Sequence, residues 1–571
     1  MFEINKRDGL ARLGKIKTKH GVLDTPTLLP VVNPKILTLS MEELKKCGAQ
    51  GIITNSYIIY KNSEIKKVAE EKGVHGLLNW KGPIMTDSGT FQSHVYGEIE
   101  MEPEVILDFQ KKIGVDIGTV LDVFTEPGTR FEEAKKELNE TQKRIEEADN
   151  NKETMMLAAP VQGGRHLDLR GEAASRASKT NAELFPIGGV VPFMERNKFK
   201  QLAEIVLACK KELDISRPVH LFGCGHPMLF ALAVFMGCDV FDSSSYAKFA
   251  SRDSLMFTWG TRKLEELETF PSEFSASPEI SIHQLKSMQK DERQRIIAKH
   301  NLIVSFTEIR RIKQAIHEGT LWELVESRLR SSPALMKVFD VLKEENDWLA
   351  KFEPAYRYKT PLKTGKESDN RPIFANFKEF DKGDMRHPYF GKLPLHLSET
   401  YPFHPGLLQD DMEGWKMQEW DVARVRTILD YQFSKGIGNI FTNGDVDLVT
   451  SKKTKRLRNL VLDEKHLVSL SHRRGLFILQ EQGARLLHEN SESLRFRVVI
   501  DPETASFNRE GKSVFCKFVK DIDSNLKCMD ECIVVTPKDE LVAFGKLIIS
   551  PEEIRLGQQG MAIRVRSGIS D

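Results

Sequence analysis

Three apolar runs in the first half of the chain each lead to an aspartate: Asp87, Asp122 and Asp242. Each run has the length and composition of a buried strand, so each carboxylate is expected at the carboxyl end of a strand. An acid in that position is placed for chemistry rather than for packing. Two carboxylates near one substrate atom can divide the work between a nucleophile and a general acid or base. The alternative is that Asp87-Ser88-Gly89 only caps a turn.

Runs of this kind alternate with helical segments in the first half of the chain. The strand candidates are Thr27–Val32, Gly51–Asn55, Pro83–Met85, Ile117–Val123, Met155–Gln162, Leu184–Val191, Pro218–Gly223 and Cys238–Phe241. The clearest helix candidates are 131–150 and 200–214, where charged or apolar residues recur at helical spacing. The alternation predicts an α/β fold with a closed (β/α)8 TIM barrel, and a doubly wound open sheet is the alternative. No G-x-G-x-x-G motif follows the first strand, which disfavours a dinucleotide-binding sheet.

In a barrel, the carboxyl ends of all strands open on one mouth. That arrangement would bring the three aspartates together with Gln162, Gly188 and Gly189, which also stand at strand ends. Glycines there let backbone N–H groups approach a flat ligand closely, because no Cβ lies in the way. The sequence therefore predicts one pocket lined by acids, an amide and bare backbone.

The composition is that of an ordinary globular chain, with 571 residues, 40% of them hydrophobic and 29% charged. A net charge of +1 supplies no overall field, so a nucleic acid would have to meet local basic patches. The seven cysteines are scattered without a Cys-x-x-Cys pair, which favours a reducing, cytoplasmic compartment. The uncharged stretch 221–238 contains Gly, His and Pro, and is expected to form a strand, a turn and a buried helix rather than a membrane span.

Beyond the barrel the composition of the sequence changes, and further domains are expected. The barrel domain with a charged helical extension is expected over residues 1–360, and small α+β modules are expected over 361–495. Short strands over 496–571 predict a small β barrel.

A basic run within residues 361–495 could bind the phosphates of a nucleic acid, or could be a solvated loop. Its cations are Lys452, Lys453, Lys455, Arg456 and Arg458.

Four segments around the predicted mouth resemble the signatures of tRNA-guanine transglycosylases. They are Thr86–Gln92, Val161–Gly164, Pro186–Pro192 and Phe241–Tyr246. Phe222–Pro227 resembles the archaeal branch of the family, and Lys512–Val519 resembles a C-terminal PUA domain. The resemblance implies that guanine at position 15 of the tRNA D-arm is replaced by 7-cyano-7-deazaguanine (preQ0), on the way to archaeosine. The implied partners are tRNA and a free 7-deazaguanine base, with no membrane.

The resemblance assigns Asp242 as the nucleophile and Asp87 as the general acid and base, while the sequence leaves the opposite assignment open. The nucleophile would trap the ribose in a covalent aspartyl intermediate, as retaining glycosidases do. Asp122 would accept hydrogen bonds from the guanine-like edge of the base. The alternative for Asp122 is a salt bridge at a strand end.

The opposite edge of the base would be bound by Gln162 and by the backbone of Gly188 and Gly189, according to the resemblance. Phe91 would stack on the face of the base. The alternative for Phe91 is a core position under the turn.

One stretch after the barrel departs from the family, whose structural zinc is held by three cysteines and a downstream histidine. Aligned on Phe270-Pro271, the cysteine positions hold Ser272, Phe274 and Ser277, and the histidine is kept as His300. One imidazole and two neutral hydroxyls do not form a tetrahedral zinc site, so we expect no zinc and no other cofactor. The family homodimer uses this neighbourhood, so the change of residues weakens the expectation of a homodimer, which stays open.

Two other functions are compatible with the resemblance. One is an archaeosine synthase-type paralogue, which amidates the inserted base, and the other is a tRNA-binding protein without catalysis. The joint presence of Asp87, Asp122 and Asp242 favours base exchange over both.

Overall fold

The computed structural model divides into two compact units, Met1–Glu344 and Glu345–Asp571. It describes residues 2–89, 102–271, 276, 279–357, 365–387, 389–397, 402–403, 417–454, 456–471, 474–556 and 560–569. In the described residues, no helix is both long and apolar enough to pass through a membrane. The stretch 221–238 forms the end of a strand, a turn and a helix, as predicted.

The first unit opens with three antiparallel strands, β1 (Phe2–Asp8), β2 (Ala11–Thr18) and β3 (Gly21–Thr25). Eight parallel strands follow: β4 (Thr27–Pro30), β5 (Ile52–Asn55), β6 (Ile84–Asp87), β7 (Ile117–Thr119), β8 (Met156–Ala158), β9 (Phe185–Ile187), β10 (Val219–Leu221) and β11 (Val240–Ser243). They form two four-stranded ladders, β5-β6-β7-β8 and β4-β11-β10-β9. Parallel bridges Val31–Ile53 and Ala158–Leu184 join the ladders. The ring is closed, which confirms the predicted (β/α)8 barrel.

Helices fill the connections between the barrel strands. Their bounds are Met41–Cys47, Ser56–Lys61, Ser63–Leu78, Pro103–Lys112, Phe131–Asn151, Leu167–Ser178, Val191–Glu195, Phe199–Glu212, Pro227–Phe235 and Ser245–Ala250. The first of them begins with a capping box, because Ser40 Oγ accepts from the Glu43 backbone and the Glu43 carboxylate accepts from the Ser40 backbone. After the barrel come a hairpin, β12 (Ser254–Phe257) and β13 (Gly260–Lys263), and the helices Ile282–Ser287, Lys290–Glu318, Leu321–Leu329, Pro333–Met336 and Val338–Glu344.

Side-chain alternation gives the barrel an apolar interior and a polar mouth. The buried interior cluster consists of Leu29, Ile53, Met85, Ile117, Ala158, Leu184 and Val240, with Ile16 and Leu23 contributed by β2 and β3. Side chains two positions apart in a strand point to the same face. Asp87 and Asp242 therefore point inward like Met85 and Val240, but they lie nearer the carboxyl end.

The second unit is built from small sheets and helices. Its strands are β14 (Met385–His387), β15 (Gly391–Leu393), β16 (Val446–Thr450), β17 (Leu457–Leu462), β18 (Lys465–Leu470), β19 (Phe477–Leu479), β20 (Arg497–Ile500), β21 (Val514–Phe515), β22 (Val519–Ile522), β23 (Glu531–Val535), β24 (Leu541–Leu547) and β25 (Met561–Gly568). Its helices are Asn346–Ala350, Met417–Gln432, Ile437–Ile440, Glu481–Glu489, Ala505–Arg509 and Pro551–Leu556. The last six strands form one sheet, in the order β21-β25-β24-β23-β20-β22. This sheet agrees with the β-rich last segment predicted from the sequence.

Candidate active site

Asp87, Asp122 and Asp242 lie at the same carboxyl-terminal mouth of the barrel. Asp87 ends β6, Asp122 follows β7, and Asp242 lies in β11. Burial is the main cause that raises the pKa of Asp87 to about 6, and the negative charges of Asp122 and Asp242 both add to it. Such charge effects act strongly only between near neighbours. The three carboxylates therefore lie near one another at the mouth of the barrel.

Asp87 is held by the end of the neighbouring strand β5. Its Oδ2 accepts a hydrogen bond from Asn55 Nδ2 at 3.1 Å, and its Oδ1 accepts one from the Gly89 backbone at 3.2 Å. Asn55 Oδ1 caps the following helix by accepting from the Ile58 backbone, which orients the amide with its Nδ2 toward Asp87. The hydroxyl of Ser56 donates to the Asp87 backbone carbonyl at 2.8 Å. Sequence reasoning noted that this strand ends in a polar residue but gave Asn55 no role.

Asp242 is held on the other side of the mouth by two donors that share one oxygen. Its Oδ1 lies 2.9 Å from His220 Nε2 and accepts a hydrogen bond from the Gly223 backbone at 2.8 Å. His220 is fully buried in β10. It was not predicted as a site residue, because a single histidine within an apolar strand has the pattern of a core position. Its contact with Asp242 depends on the pairing of β10 with β11, which no single segment of sequence shows.

Asp122 and Gln162 are in direct contact, since Gln162 Nε2 donates to Asp122 Oδ2 at 2.5 Å. A Cβ on Gly188 would lie 2.5 Å from Gln162 Nε2, and one on Gly189 would lie 2.9 Å from Gln162 Oε1. Real Cβ atoms do not approach so closely, so glycine at both positions makes room for the Gln162 amide. The structure thus brings together four of the five residues that were predicted to bind the base, namely Asp122, Gln162, Gly188 and Gly189.

Arg170 is a further residue of the pocket that sequence reasoning missed. Its buried guanidinium donates to the carbonyls of Val161 and Gly188, at 2.8 Å each, and to that of Gly164 at 2.9 Å. These bonds tie the loop after β8 to the loop after β9. The sequence signal for Arg170 is its place on the buried face of its helix. A charged side chain is rarely buried there unless polar groups pair with it.

Buried polar atoms without a hydrogen-bond partner among the described residues occur at the pocket, among them Gln162 Oε1 and Arg170 Nη2. Buried polar groups in native proteins are nearly always paired. An acceptor and a donor of this kind suit a ligand that carries both donors and acceptors on its edges, as a purine-like base does.

The residues at the family's zinc position do not fit the metal. His300 is buried in the helix Lys290–Glu318, with its ring 5.5 Å from that of Phe257, and burial lowers its pKa to about 4. Ser272, Phe274 and Ser277 lie outside the described residues, but none of these residue types supplies a thiolate.

One group of potential metal ligands occurs in the described part of the chain: His20, His75 and Asp116. Both carboxylate oxygens of Asp116 are occupied. Oδ1 lies 3.0 Å from the ring of His20 and accepts from its backbone, and Oδ2 lies 3.2 Å from the ring of His75 and accepts from the Ile84 backbone. Burial acts to raise the pKa of Asp116, but these hydrogen bonds outweigh it and lower the pKa to about 2. Asp116 directly precedes β7, and His75 lies in the helix before β6. The group therefore lies at the amino-terminal end of these strands, opposite the mouth.

The predicted phosphate-binding run begins after β16 in the second unit and ends within β17, where Arg458 lies. Lys452, Lys453, Arg456 and Arg458 are exposed. Lys455 and the proposed stacking residue Phe91 lie outside the described residues.

Three family models match most of the chain. A family model described as Queuine tRNA-ribosyltransferase matches residues 7–334. Residues 423–493 match the patch-forming domain C2 of tRNA-guanine transglycosylase, and residues 496–569 match the PUA domain.

Several curated relatives carry the name tRNA-guanine(15) transglycosylase. The protein of Thermococcus kodakarensis is 42% identical, over 100% of this chain and 99% of its own. That of Pyrococcus abyssi is 42% identical, over 100% of this chain and 98% of its own. That of Methanocaldococcus jannaschii is 38% identical, over 100% of this chain and 99% of its own. The chain therefore belongs to the tRNA-guanine transglycosylase family, the queuine tRNA-ribosyltransferases.

Proposed function

We propose that the chain exchanges a base in tRNA, removing guanine 15 from the D-arm and inserting preQ0, a step of archaeosine biosynthesis. The names and the coverage of the relatives support the reaction and the position. The observation that carries the proposal is the convergence of Asp87, Asp122 and Asp242 on one pocket at the barrel mouth. A pocket with three acids can supply a nucleophile, a proton donor and a base-binding acceptor.

In the proposed first half-reaction, an oxygen of Asp242 attacks C1′ of the ribose while the bond from C1′ to the guanine nitrogen breaks. Asp87 gives its proton to the departing guanine, which leaves as a neutral base. The ribose remains bound to Asp242 as an ester. In the second half-reaction, preQ0 attacks C1′, Asp87 takes the proton from it, and Asp242 leaves as a carboxylate. No redox partner or nucleotide is consumed.

The two acids have environments that suit these different roles. Asp87 has a pKa raised to about 6, so it can hold a proton near neutral pH. Asp242 accepts two hydrogen bonds on one oxygen, as suits an ionised carboxylate. Environments that separate two carboxylates in this way commonly separate acid from nucleophile.

The base would be read by the opposite side of the pocket. Asp122 would accept from N1–H and the 2-amino group, with Gln162 and the backbone of Gly188 and Gly189 at the other edge. Phe91 would cover the face of the base. Because Gln162 already donates to Asp122, an incoming base must share or displace that hydrogen bond.

The raised pKa of Asp87 predicts the pH dependence of the first half-reaction. The protonated acid is required, so its fraction is nearly complete well below pH 6 and falls about tenfold per pH unit well above it. We expect the single-turnover rate of guanine release to decline as the pH rises through that region. In D87N the decline should be absent, because no proton titrates at that position. A wild-type rate that rises steadily from pH 5 to pH 8 would contradict the role of Asp87.

Binding of tRNA is proposed to extend to the modules over residues 361–495 and the PUA domain over 496–571, beyond a catalytic domain over 1–360. In K452A/K453A, loss of two exposed lysines should weaken tRNA binding several-fold and reduce the slope of log Kd against log salt by about two. The matched control is K136A/K143A, which removes two exposed lysines from the helix Phe131–Asn151 and should change neither quantity. Equal effects in both double variants would contradict a role in tRNA binding and favour the alternative that the basic run is a solvated loop.

Incubation of the full chain with tRNA and radiolabelled guanine tests the function directly. We expect incorporation of the label, blocked when residue 15 of the tRNA is not guanine and reversed by a chase with preQ0. An archaeosine synthase-type paralogue or a non-catalytic binder would retain tRNA without incorporating the base. Binding without incorporation would therefore overturn the proposal.

A further inference from the structure

His220 is a buried side chain in direct contact with the proposed nucleophile, Asp242. It has no exposed surface, and its Nε2 lies 2.9 Å from Asp242 Oδ1. The ring of Phe222 meets it edge to face, with 4.6 Å between the ring centroids. The imidazole is thus held both by packing and by the carboxylate.

The strand register explains this contact. β10 and β11 are parallel neighbours in which His220 pairs with Val240. The inward face of β11 carries Val240 and, two positions later, Asp242. The imidazole is long enough to reach along the neighbouring strand to that carboxylate, which a small residue in its place would not do.

The proton of the imidazole can be assigned from its partner. An ionised carboxylate only accepts hydrogen bonds, so Nε2 must be the atom that carries the proton and donates. Nδ1 is buried without a partner among the described residues. In the Nε2–H tautomer Nδ1 bears a lone pair, so the ring leaves no donor unsatisfied.

We propose that His220 is a positioning residue that, with the Gly223 backbone, fixes Asp242 through Oδ1 and makes Oδ2 the attacking atom. The inference rests on the proposed base exchange. Both recorded donors are on Oδ1, and no donor to Oδ2 occurs among the residues that the structure describes. When Oδ2 forms the ester with C1′, Oδ1 becomes the ester carbonyl and keeps both donors.

The same donors have a task in the second half-reaction. As the bond from Oδ2 to C1′ breaks, the electron pair returns to the Asp242 carboxylate. Donors aimed at the place where negative charge develops stabilise the transition state. His220 should therefore assist the departure of Asp242 more than it assists the attack, since donation to a nucleophile does not increase its reactivity.

The test compares H220F, which removes the donor and keeps a flat ring, with H220Q, whose amide N–H can replace Nε2–H. Enzyme and tRNA form the covalent adduct in the absence of free base, and guanine is then added as the chase. In H220F the adduct should break down about 10- to 100-fold more slowly than in the wild type. Its formation should slow less, so that more adduct is recovered on a denaturing gel. H220Q should restore breakdown to within about threefold of the wild type, as expected if one donor is replaced by another.

Two results would overturn the inference while leaving base exchange intact. One is wild-type breakdown in H220F, and the other is equal slowing of formation and breakdown in both variants. If H220F does not fold, H220N takes its place, because the shorter amide does not reach Oδ1, and the same slow breakdown is expected. Failure of the proposed function gives a different result, since the wild type itself would then form no adduct and exchange no guanine.

Discussion

Replacement of Asp242 by asparagine is expected to reduce guanine exchange by a factor on the order of 10⁴ or more, as the loss of a catalytic nucleophile does. The amide oxygen can still accept from the Gly223 backbone, so the fold around the site should survive. The measurement is incorporation of radiolabelled guanine into tRNA, together with the covalent adduct on a denaturing gel. Both should be lost, and the thermal midpoint of unfolding should stay near that of the wild type.

The matched control is D291N, which makes the same chemical change at an exposed position in the helix Lys290–Glu318. Its exchange rate should equal that of the wild type. A D242N protein that still forms the adduct, beside a D87N protein that does not, would reverse the roles of the two acids.

Replacement of Asp122 by asparagine is expected to lower kcat/KM for guanine by about 10²- to 10⁴-fold, because a buried acceptor facing two donors is replaced by a group that is half donor. The affinity for tRNA should change little, since that binding uses surfaces outside the base pocket. The measurement is the dependence of the exchange rate on the concentration of free guanine, with tRNA saturating.

Hypoxanthine, which lacks the 2-amino group, supplies the second readout for Asp122. The wild type should prefer guanine over hypoxanthine strongly, and D122N should lose most of that preference. If D122N lowers the rates with guanine and with hypoxanthine equally, Asp122 supports the pocket without reading the base. That result would favour the alternative role of Asp122 in a salt bridge.

The barrel was predictable because its signals are local. Each of its eight strands belongs to a short apolar run, and Gly, Asn, Asp or Gln stands at or shortly after its end. The closed ring follows from the number and the spacing of these runs. The antiparallel strands β1 to β3 were not predicted, because lysines and arginines interrupt the alternation in β1 and β2. The same interruption occurs in β22, where Lys520 and Asp521 stand between two apolar residues.

The acids of the site were predictable, but the residues that hold them were not. Asp87 and Asp242 stand out as carboxylates at strand ends. The contacts of Asn55 with Asp87 and of His220 with Asp242 depend on which strand lies beside which. That pairing is a property of the closed sheet and is absent from any one segment of sequence. Arg170 lies on a helix, and its contacts with the loops after β8 and β9 likewise depend on the folded barrel.

The central claim is that Asp242 forms the covalent bond to the ribose. The most direct measurement is to trap the tRNA adduct of the wild-type chain, digest the RNA and the protein, and locate the ribosylated peptide by mass spectrometry. The account predicts the modification on Asp242, in the peptide that contains Val240–Ser243. Modification of Asp87, or no covalent adduct during active exchange, would contradict it.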